Sequence, residues 1–138
     1  MLIIIIVLLL AIVGFLFIRS RESFSSFEDP HIEGLKTRIA TVVPEIRLFT
    51  IRGSNQSFTL NKNAIYICCK DKNGAYYEEN MLIYVMLHEL SHALMEGTDV
   101  KHETPEYHSI FQNLLDRAAK AGIYDPTQPI QKNYCGYT

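Results

Sequence analysis

The stretch Leu82–Met95 constrains the fold most, because it is a long apolar run that contains two histidines and a glutamate. Residues four apart lie above one another on one face of a helix, so His88 and His92 could hold one metal ion between them. Glu89 follows the first histidine directly and could reach a water on that metal. The run is apolar almost all round, which predicts a buried helix over about Asn80–Glu96.

The spacing His88-Glu89-x-x-His92 is the H-E-x-x-H motif, in which the two histidines bind zinc. Burying two imidazoles and a carboxylate without partners would be costly, since each unsatisfied polar group costs about 1–3 kcal/mol. A bound zinc ion removes that cost. The alternative is a pair of core histidines whose hydrogen bonds are satisfied within the protein.

A catalytic zinc ion has three protein ligands and one open position, so a third ligand must come from further along the chain. Thr104-Pro105 is typical of a helix start, with a capping side chain followed by proline in the first turn. The candidate ligands around it are His102, Glu103, Glu106 and His108. A histidine on the loop before the helix is better able to turn towards a metal, which favours His102, and the residues alone leave His108 open.

The first 18 residues contain no charged side chain, which predicts a single transmembrane helix over residues 1–18. A cleaved signal peptide is the weaker alternative, because a basic segment before the apolar core is missing. Arg19 and Arg21 follow the span, so the positive-inside rule predicts that the downstream domain lies on the cytoplasmic side. Residues 19–29 are polar and rich in serine, and we interpret them as a tether.

Residues 30–138 are predicted to form one α+β domain. Its elements follow one another as a helix, three strands, the motif helix and a C-terminal helix. Asp29-Pro30 marks the start of the first helix. The three strands are predicted from alternating or β-rich segments at 45–52, 57–60 and 64–69.

Charge and cysteine content exclude some classes of protein. The 13 basic and 15 acidic side chains give a net charge of −2, so no nucleic-acid partner is expected. The three cysteines are an odd number, which implies no disulfide framework and favours a reducing compartment. Cys68 and Cys69 are adjacent in a predicted strand and point to opposite faces, so we interpret them as free structural thiols.

The motif and the sequence after it resemble the WLM and SprT-like metallopeptidases. The likeness rests on His88-Glu89-Leu90-Ser91-His92, on His102, and on the helix that follows from Glu106-Tyr107 to Gly122-Ile123-Tyr124. It extends over about 32–136 and is greatest to small WLM-like proteins of large nucleocytoplasmic DNA viruses. The resemblance implies a minimal zincin fold that hydrolyses peptide bonds, with His102 as the third zinc ligand.

The same resemblance implies a mechanism and a mode of substrate binding. Zinc on His88, His92 and His102 would lower the pKa of a bound water, and Glu89 would act as general base. The strand Ala64–Cys69 would line the cleft and pair with an extended peptide or protein substrate. For the oxyanion, Tyr124, Tyr134 and Tyr137 are candidate donors by residue type alone.

Two other functions compete with a membrane-anchored zinc peptidase. The zinc could be structural, in a membrane protein whose site is closed by a fourth ligand such as Glu103, His108 or Cys135. Proteolysis of DNA–protein crosslinks, known from some cellular family members, is disfavoured because the chain has no basic patch and no nucleic-acid-binding module.

Overall fold

The computed structural model describes residues 1–19, 24–95 and 104–136. Within these ranges the chain is an α+β protein with four α-helices and one four-stranded mixed sheet. The helices are α1 (Leu2–Arg19), α2 (Pro30–Ile39), α3 (Glu79–Leu94) and α4 (Pro105–Lys120). The strands are β1 (Ser26–Phe27), β2 (Thr50–Ser54), β3 (Phe58–Leu60) and β4 (Ala64–Cys68).

The sheet has the strand order β1-β2-β4-β3. Strand β2 runs parallel to β4, whereas β1 and β3 are antiparallel to their neighbours. The predicted sheet of three strands is therefore wrong, because Ser26–Phe27, within the predicted tether, pairs with Ser54 and Gly53 as a fourth strand. The ring of Phe27 occupies the space that a Cβ on Gly53 would need, so a larger residue at this position would displace the ring.

The strand predicted over 45–52 is also partly wrong. A 3-10 helix forms at Pro44–Leu48, and β2 begins two residues later. Proline is favoured in the first turn of a helix. Ile46 and Phe49 are both buried because residues three apart lie on the same side of a 3-10 helix. The buried apolar residues here repeat every three positions, as in a 3-10 helix. Over so short a segment this repeat is hard to distinguish from the alternation of a strand.

Helices α2, α3 and α4 contribute to one core together with β2 and β4. The predicted start of α2 is confirmed, since the Asp29 carboxylate accepts hydrogen bonds from the backbone N–H groups of His31 and Ile32. The predicted start of α4 is confirmed as well, with Thr104 as its N-cap. The fully buried large side chains at the centre of the core belong to α2, the 3-10 helix, β4, α3 and α4 (Ile32, Ile39, Ile46, Ile65, Ile67, Leu82, Ile83, Met86, Leu87, Leu90 and Leu114).

Among the described residues, no helix combines the length and the apolar character needed to cross a membrane. The predicted transmembrane helix over residues 1–18 is therefore wrong. Helix α1 contains 18 residues. At about 1.5 Å per residue it is roughly 27 Å long, which is shorter than a hydrocarbon core of about 30 Å.

The interpretation of Cys68 and Cys69 as free thiols is wrong for Cys68 and confirmed for Cys69. Cys68, at the end of β4, forms a disulfide with Cys135, and their Cα atoms are 6.2 Å apart. The partner is 67 residues away in sequence, so local spacing could not indicate the pairing. Cys69 is a free, buried cysteine, and burial raises the pKa of its thiol to about 11.

Candidate functional site

The H-E-x-x-H motif occupies the last two turns of α3, a helix whose side chains are mostly buried. His88 and His92 are half-buried on the same side of the helix. Their ring centroids are 5.1 Å apart, and the two rings lie at 77° to each other. The prediction that the helix brings these two histidines together is confirmed.

Glu89 turns towards the sheet and is buried, with 7% of its surface exposed. The hydroxyl of Thr59, in β3, lies 3.1 Å from Oε2 of Glu89 and 2.9 Å from the carbonyl oxygen of the same residue. Burial raises the pKa of the Glu89 carboxyl to about 7, although the hydrogen bond from Thr59 acts in the opposite direction. A carboxylate in this setting has the surroundings of a general acid–base group.

Tyr107, in the first turn of α4, contacts both motif histidines. Its hydroxyl oxygen lies 2.7 Å from Nδ1 of His88 and 3.4 Å from the carbonyl oxygen of that residue. Its ring centroid is 4.6 Å from that of His92, at an interplanar angle of 34°. The Thr104 side chain fixes the backbone of this turn by accepting a hydrogen bond from the Tyr107 N–H at 3.3 Å.

Strand β3 is the edge of the sheet nearest to the motif helix. It pairs with β4 along one side, and no described strand pairs with its other side. Strand β4 has β2 on one side and β3 on the other, so its backbone is not available to a further strand. The prediction that Ala64–Cys69 pairs with an extended substrate is therefore wrong, and the edge next to Glu89 belongs to Phe58–Leu60.

The described residues contain no complete metal-binding group. Within 1–19, 24–95 and 104–136, no three His, Cys, Asp or Glu side chains are placed to hold a metal ion together. His102, the predicted third ligand, lies outside the described residues, as does Glu103. His108 is exposed on α4 and does not join His88 and His92 in such a group.

His88 also borders a groove of about 700 Å³ between α3 and α4. The groove has a mostly aromatic floor, in which the ring of Phe111 packs edge-on against those of Tyr84 and His88. The residues that line it are Tyr84, His88, Tyr107, His108, Ser109, Phe111, Gln112 and Leu115.

The tyrosines considered as oxyanion donors have other roles in the part of the chain that is described. Tyr124 is buried and packs against Tyr84. The Tyr134 hydroxyl lies 2.9 Å from Oγ of Ser57 and also donates to the carbonyl oxygen of Cys68, and burial raises its pKa well above the usual range. Tyr137 lies outside the described residues.

The roles of Thr59 and Tyr107 were not predicted from the sequence. Thr59 is a single polar residue in a short strand, 30 positions before Glu89, and nothing local indicates that the two are in contact. Tyr107 carried a partial signal, because it is an aromatic residue in the first turn of a capped helix directly after the candidate ligands. Its hydrogen bond to His88 depends on how α4 packs against α3.

The residues that are described fit a zinc site in part. The imidazoles of His88 and His92, four positions apart on one helix face, are donors that zinc prefers, and the buried carboxylate of Glu89 lies beside them. Cys135 is bonded to Cys68, so it offers no thiolate to a closed metal site.

Three viral proteins are similar to this chain. Uncharacterized protein 136R of Invertebrate iridescent virus 6 is 42% identical over 97 residues, which cover 68% of this chain and 51% of that protein. Uncharacterized protein 042R of Invertebrate iridescent virus 3 is 46% identical over 81 residues, or 58% of this chain and 49% of that protein. An uncharacterized protein of Acanthamoeba polyphaga mimivirus is 30% identical over 129 residues, or 84% of this chain and 59% of that protein.

The chain thus spans about half the length of the curated relatives it matches. No protein-family model matches the chain, and no solved structure matches it. The similarities are to viral proteins, each named as uncharacterized, and they assign no activity.

Proposed function

We propose that this chain is a zinc-dependent peptidase of the WLM and SprT-like type, with His88, His92 and His102 as zinc ligands and Glu89 as general base. The observation that supports it most is the position of Glu89. A carboxylate with 7% exposure lies directly beside two half-buried histidines that face one side of α3. An ionised carboxylate is costly to bury unless a partner compensates its charge.

Zinc, Glu89 and Thr59 would have separate roles in the reaction. Zinc, when bound, supplies a Lewis acid that polarises the scissile carbonyl and lowers the pKa of a water to about 7. Glu89 takes a proton from the attacking water and passes it to the leaving amine. Thr59 holds the Glu89 carboxylate through the 3.1 Å contact to Oε2, so the base stays aligned during both transfers.

The substrate would be an extended polypeptide segment. The edge of β3 that no described strand pairs with passes beside Glu89, because Thr59, at the centre of the strand, contacts that residue. An exposed sheet edge binds a peptide backbone through main-chain hydrogen bonds, which gives affinity with little dependence on side chains. Unfolded or flexible protein segments are therefore the expected substrate class.

The competing proposal is a structural zinc ion in a closed site, without activity. That site would need a fourth ligand, and the disulfide removes Cys135 from the candidates. A hydroxamate inhibitor separates the two proposals, because it binds to zinc only at an open coordination position. Binding of a hydroxamate to the zinc-loaded protein supports the peptidase, and failure to bind supports the closed site.

The experiment that tests the mechanism is the substitution Glu89→Gln in the full chain. It should retain zinc and lose cleavage of quenched-fluorescent casein, because the amide cannot accept the proton. The matched control is Glu79→Gln on the same helix, where the carboxylate makes an exposed ion pair with Arg38 at 2.9 Å. A Glu89→Gln variant that cleaves as fast as the control would overturn the proposed role.

A further inference from the structure

We propose that the Cys68–Cys135 disulfide is a redox-active site, at which exchange with a dithiol loosens β3 and thereby lowers the peptidase activity. The inference rests on the proposed function, since β3 is the strand assigned to the substrate. The disulfide joins the end of β4 to the segment 131–136. Three features support the inference, namely the hydrogen bonds around Cys68, the backbone conformation of Cys135 and the cavity that both cysteines line.

Hydrogen bonds around Cys68 connect the disulfide to the start of β3. The backbone N–H of Cys68 donates to Oγ of Ser57 at 2.8 Å, and Ser57 directly precedes the strand. The same Oγ lies 2.9 Å from the hydroxyl oxygen of Tyr134, which donates to the carbonyl oxygen of Cys68. Because Tyr134 is next to Cys135 in the sequence, the disulfide holds this tyrosine beside Ser57.

Strand β3 connects these hydrogen bonds to the proposed base. It contains three residues, and its pairing with β4 begins at Phe58, directly after Ser57. Thr59, at its centre, contacts Oε2 of Glu89. So short a strand has few backbone hydrogen bonds of its own, so loss of the contacts at Ser57 should loosen it and disturb the contact between Thr59 and Glu89.

The backbone conformation of Cys135 favours release of the segment once the disulfide is broken. Its φ angle is 52°, in the left-handed region that residues other than glycine rarely adopt. Such a conformation persists only where the surrounding structure imposes it. Without the covalent bond, weaker contacts must impose it, such as the 2.9 Å hydrogen bond from the Cys135 N–H to the hydroxyl of Tyr77. The segment should therefore relax on reduction.

The disulfide is accessible to a small reductant. Cys68 and Cys135 line a cavity of about 640 Å³, and Cys135 is half-buried. Positive charges outnumber negative ones among the other side chains that line this cavity, which include Lys70, Lys72, Lys132 and Asp71. This charge favours the approach of an anionic thiolate and stabilises the cysteine thiolate that leaves.

The exchange with a dithiol takes two steps. One thiolate of the reductant attacks Sγ of Cys135, so that a mixed disulfide forms and Cys68 leaves as a thiolate, which takes up a proton. The second thiol of the reductant then attacks its own first sulfur, which releases Cys135 as a thiol and closes the oxidised, cyclic reductant. Two electrons and two protons thus pass from the dithiol to the two cysteines.

Hydrogen–deuterium exchange of the metal-free full chain, with and without dithiothreitol, tests the release. Reduction should accelerate amide exchange at 57–60 and 131–136 by roughly tenfold or more. Helix α2 serves as the internal reference, and it should keep its slow exchange because the domain stays folded. Protection that is kept at 57–60, or that is lost in α2 as well, would overturn the inference.

The effect on activity is measured without a reductant, because thiolates also bind zinc. Cys135→Ser should cleave quenched-fluorescent casein about 10- to 100-fold more slowly than the unaltered protein at equal zinc content, since a misplacement of about 1 Å can cost about 100-fold in rate. Cys69→Ala is the matched control, which removes a buried thiol and keeps the disulfide. Equal rates for the two variants would overturn the inference.

The two measurements distinguish failure of the inference from failure of the proposed function. If the unaltered protein cleaves no substrate, the proposed function fails. The exchange at 57–60 then decides whether the disulfide controls β3, because it requires neither zinc nor activity.

Discussion

The hydroxyl of Thr59 lies 3.1 Å from Oε2 of Glu89 and 2.9 Å from the Glu89 carbonyl oxygen. This side chain joins the edge strand of the sheet to the motif helix at the position of the proposed base. In the proposed mechanism, Thr59 would therefore fix the position of the Glu89 carboxylate relative to the strand that binds the substrate. Substitution of Thr59 therefore tests whether the position of the Glu89 carboxylate matters for activity.

Replacing Thr59 by valine keeps the volume and removes the hydrogen bond. A hydrogen bond to a charged group contributes about 1.5–3 kcal/mol, so the loss should lower kcat by roughly tenfold or more. Zinc content should stay unchanged, because Thr59 hydrogen-bonds Glu89, which is the proposed base and not a proposed zinc ligand. Steady-state cleavage of quenched-fluorescent casein and metal analysis of the same sample provide the two measurements.

Thr59→Ser is the control for that change, since serine restores the hydroxyl on a smaller side chain. It should recover most of the activity that valine loses. If valine and serine variants were equally impaired, the effect would come from packing in β3. An unimpaired valine variant would mean that Glu89 does not depend on Thr59.

Local sequence signals predicted the parts of the fold that depend on residues close together in the sequence. Asp29-Pro30 and Thr104-Pro105 start α2 and α4 because a cap and a proline act within one helical turn. The pairing of His88 with His92 follows from helical spacing alone. These features needed no knowledge of tertiary structure.

The features that the sequence did not predict depend on contacts between distant segments. Strand β1 forms only because β2 offers it an edge, and two residues contain too little pattern to indicate a strand. The Cys68–Cys135 disulfide joins residues that no local spacing relates. The family resemblance implies that the strand before the motif helix binds substrate, yet β4 lies between two other strands and its backbone cannot accept a further partner.

The disulfide should contribute strongly to stability. It closes a loop of 67 residues, which corresponds to about 4 kcal/mol of lost chain entropy in the unfolded state. Cys135→Ser should lower the free energy of unfolding, measured by urea denaturation, by up to that amount. Reduction of the unaltered protein with a phosphine should lower it to the same value.

The control for this prediction is the phosphine treatment of Cys135→Ser, which should have no further effect. Cys69 stays reduced in both proteins, since it is a buried free thiol. A stability of the unaltered protein that did not respond to the reductant would show that the bond does not form in solution.

The ion pair between Arg117 and Glu45 should make stability depend on pH. Nη1 of Arg117 lies 2.8 Å from Oε1 of Glu45, and the hydrogen bond from this guanidinium lowers the pKa of the Glu45 carboxyl. A lowered pKa in the folded state gives stability that is present above the unfolded pKa and is lost as the pH falls through the folded pKa. Because both groups are partly exposed, the gain should stay below about 1 kcal/mol.

Glu45→Gln isolates that contribution. The difference in unfolding free energy between the unaltered protein and this variant should be greatest at neutral pH and should shrink as the solution is acidified. Urea denaturation across the acidic range measures it. A difference that grew on acidification would contradict the assigned direction of the Glu45 pKa shift.

The third zinc ligand provides the sharpest prediction about the metal site. Glu89 is buried beside the two motif histidines, and the proposed function takes His102 as the third ligand, as the family resemblance implies. His102→Ala should lose zinc on dialysis, because two protein ligands hold the ion too weakly. His108→Ala is the matched control, an exposed histidine in the first turns of α4, and it should keep its zinc. Zinc lost from the control and kept by His102→Ala would assign the third ligand to α4.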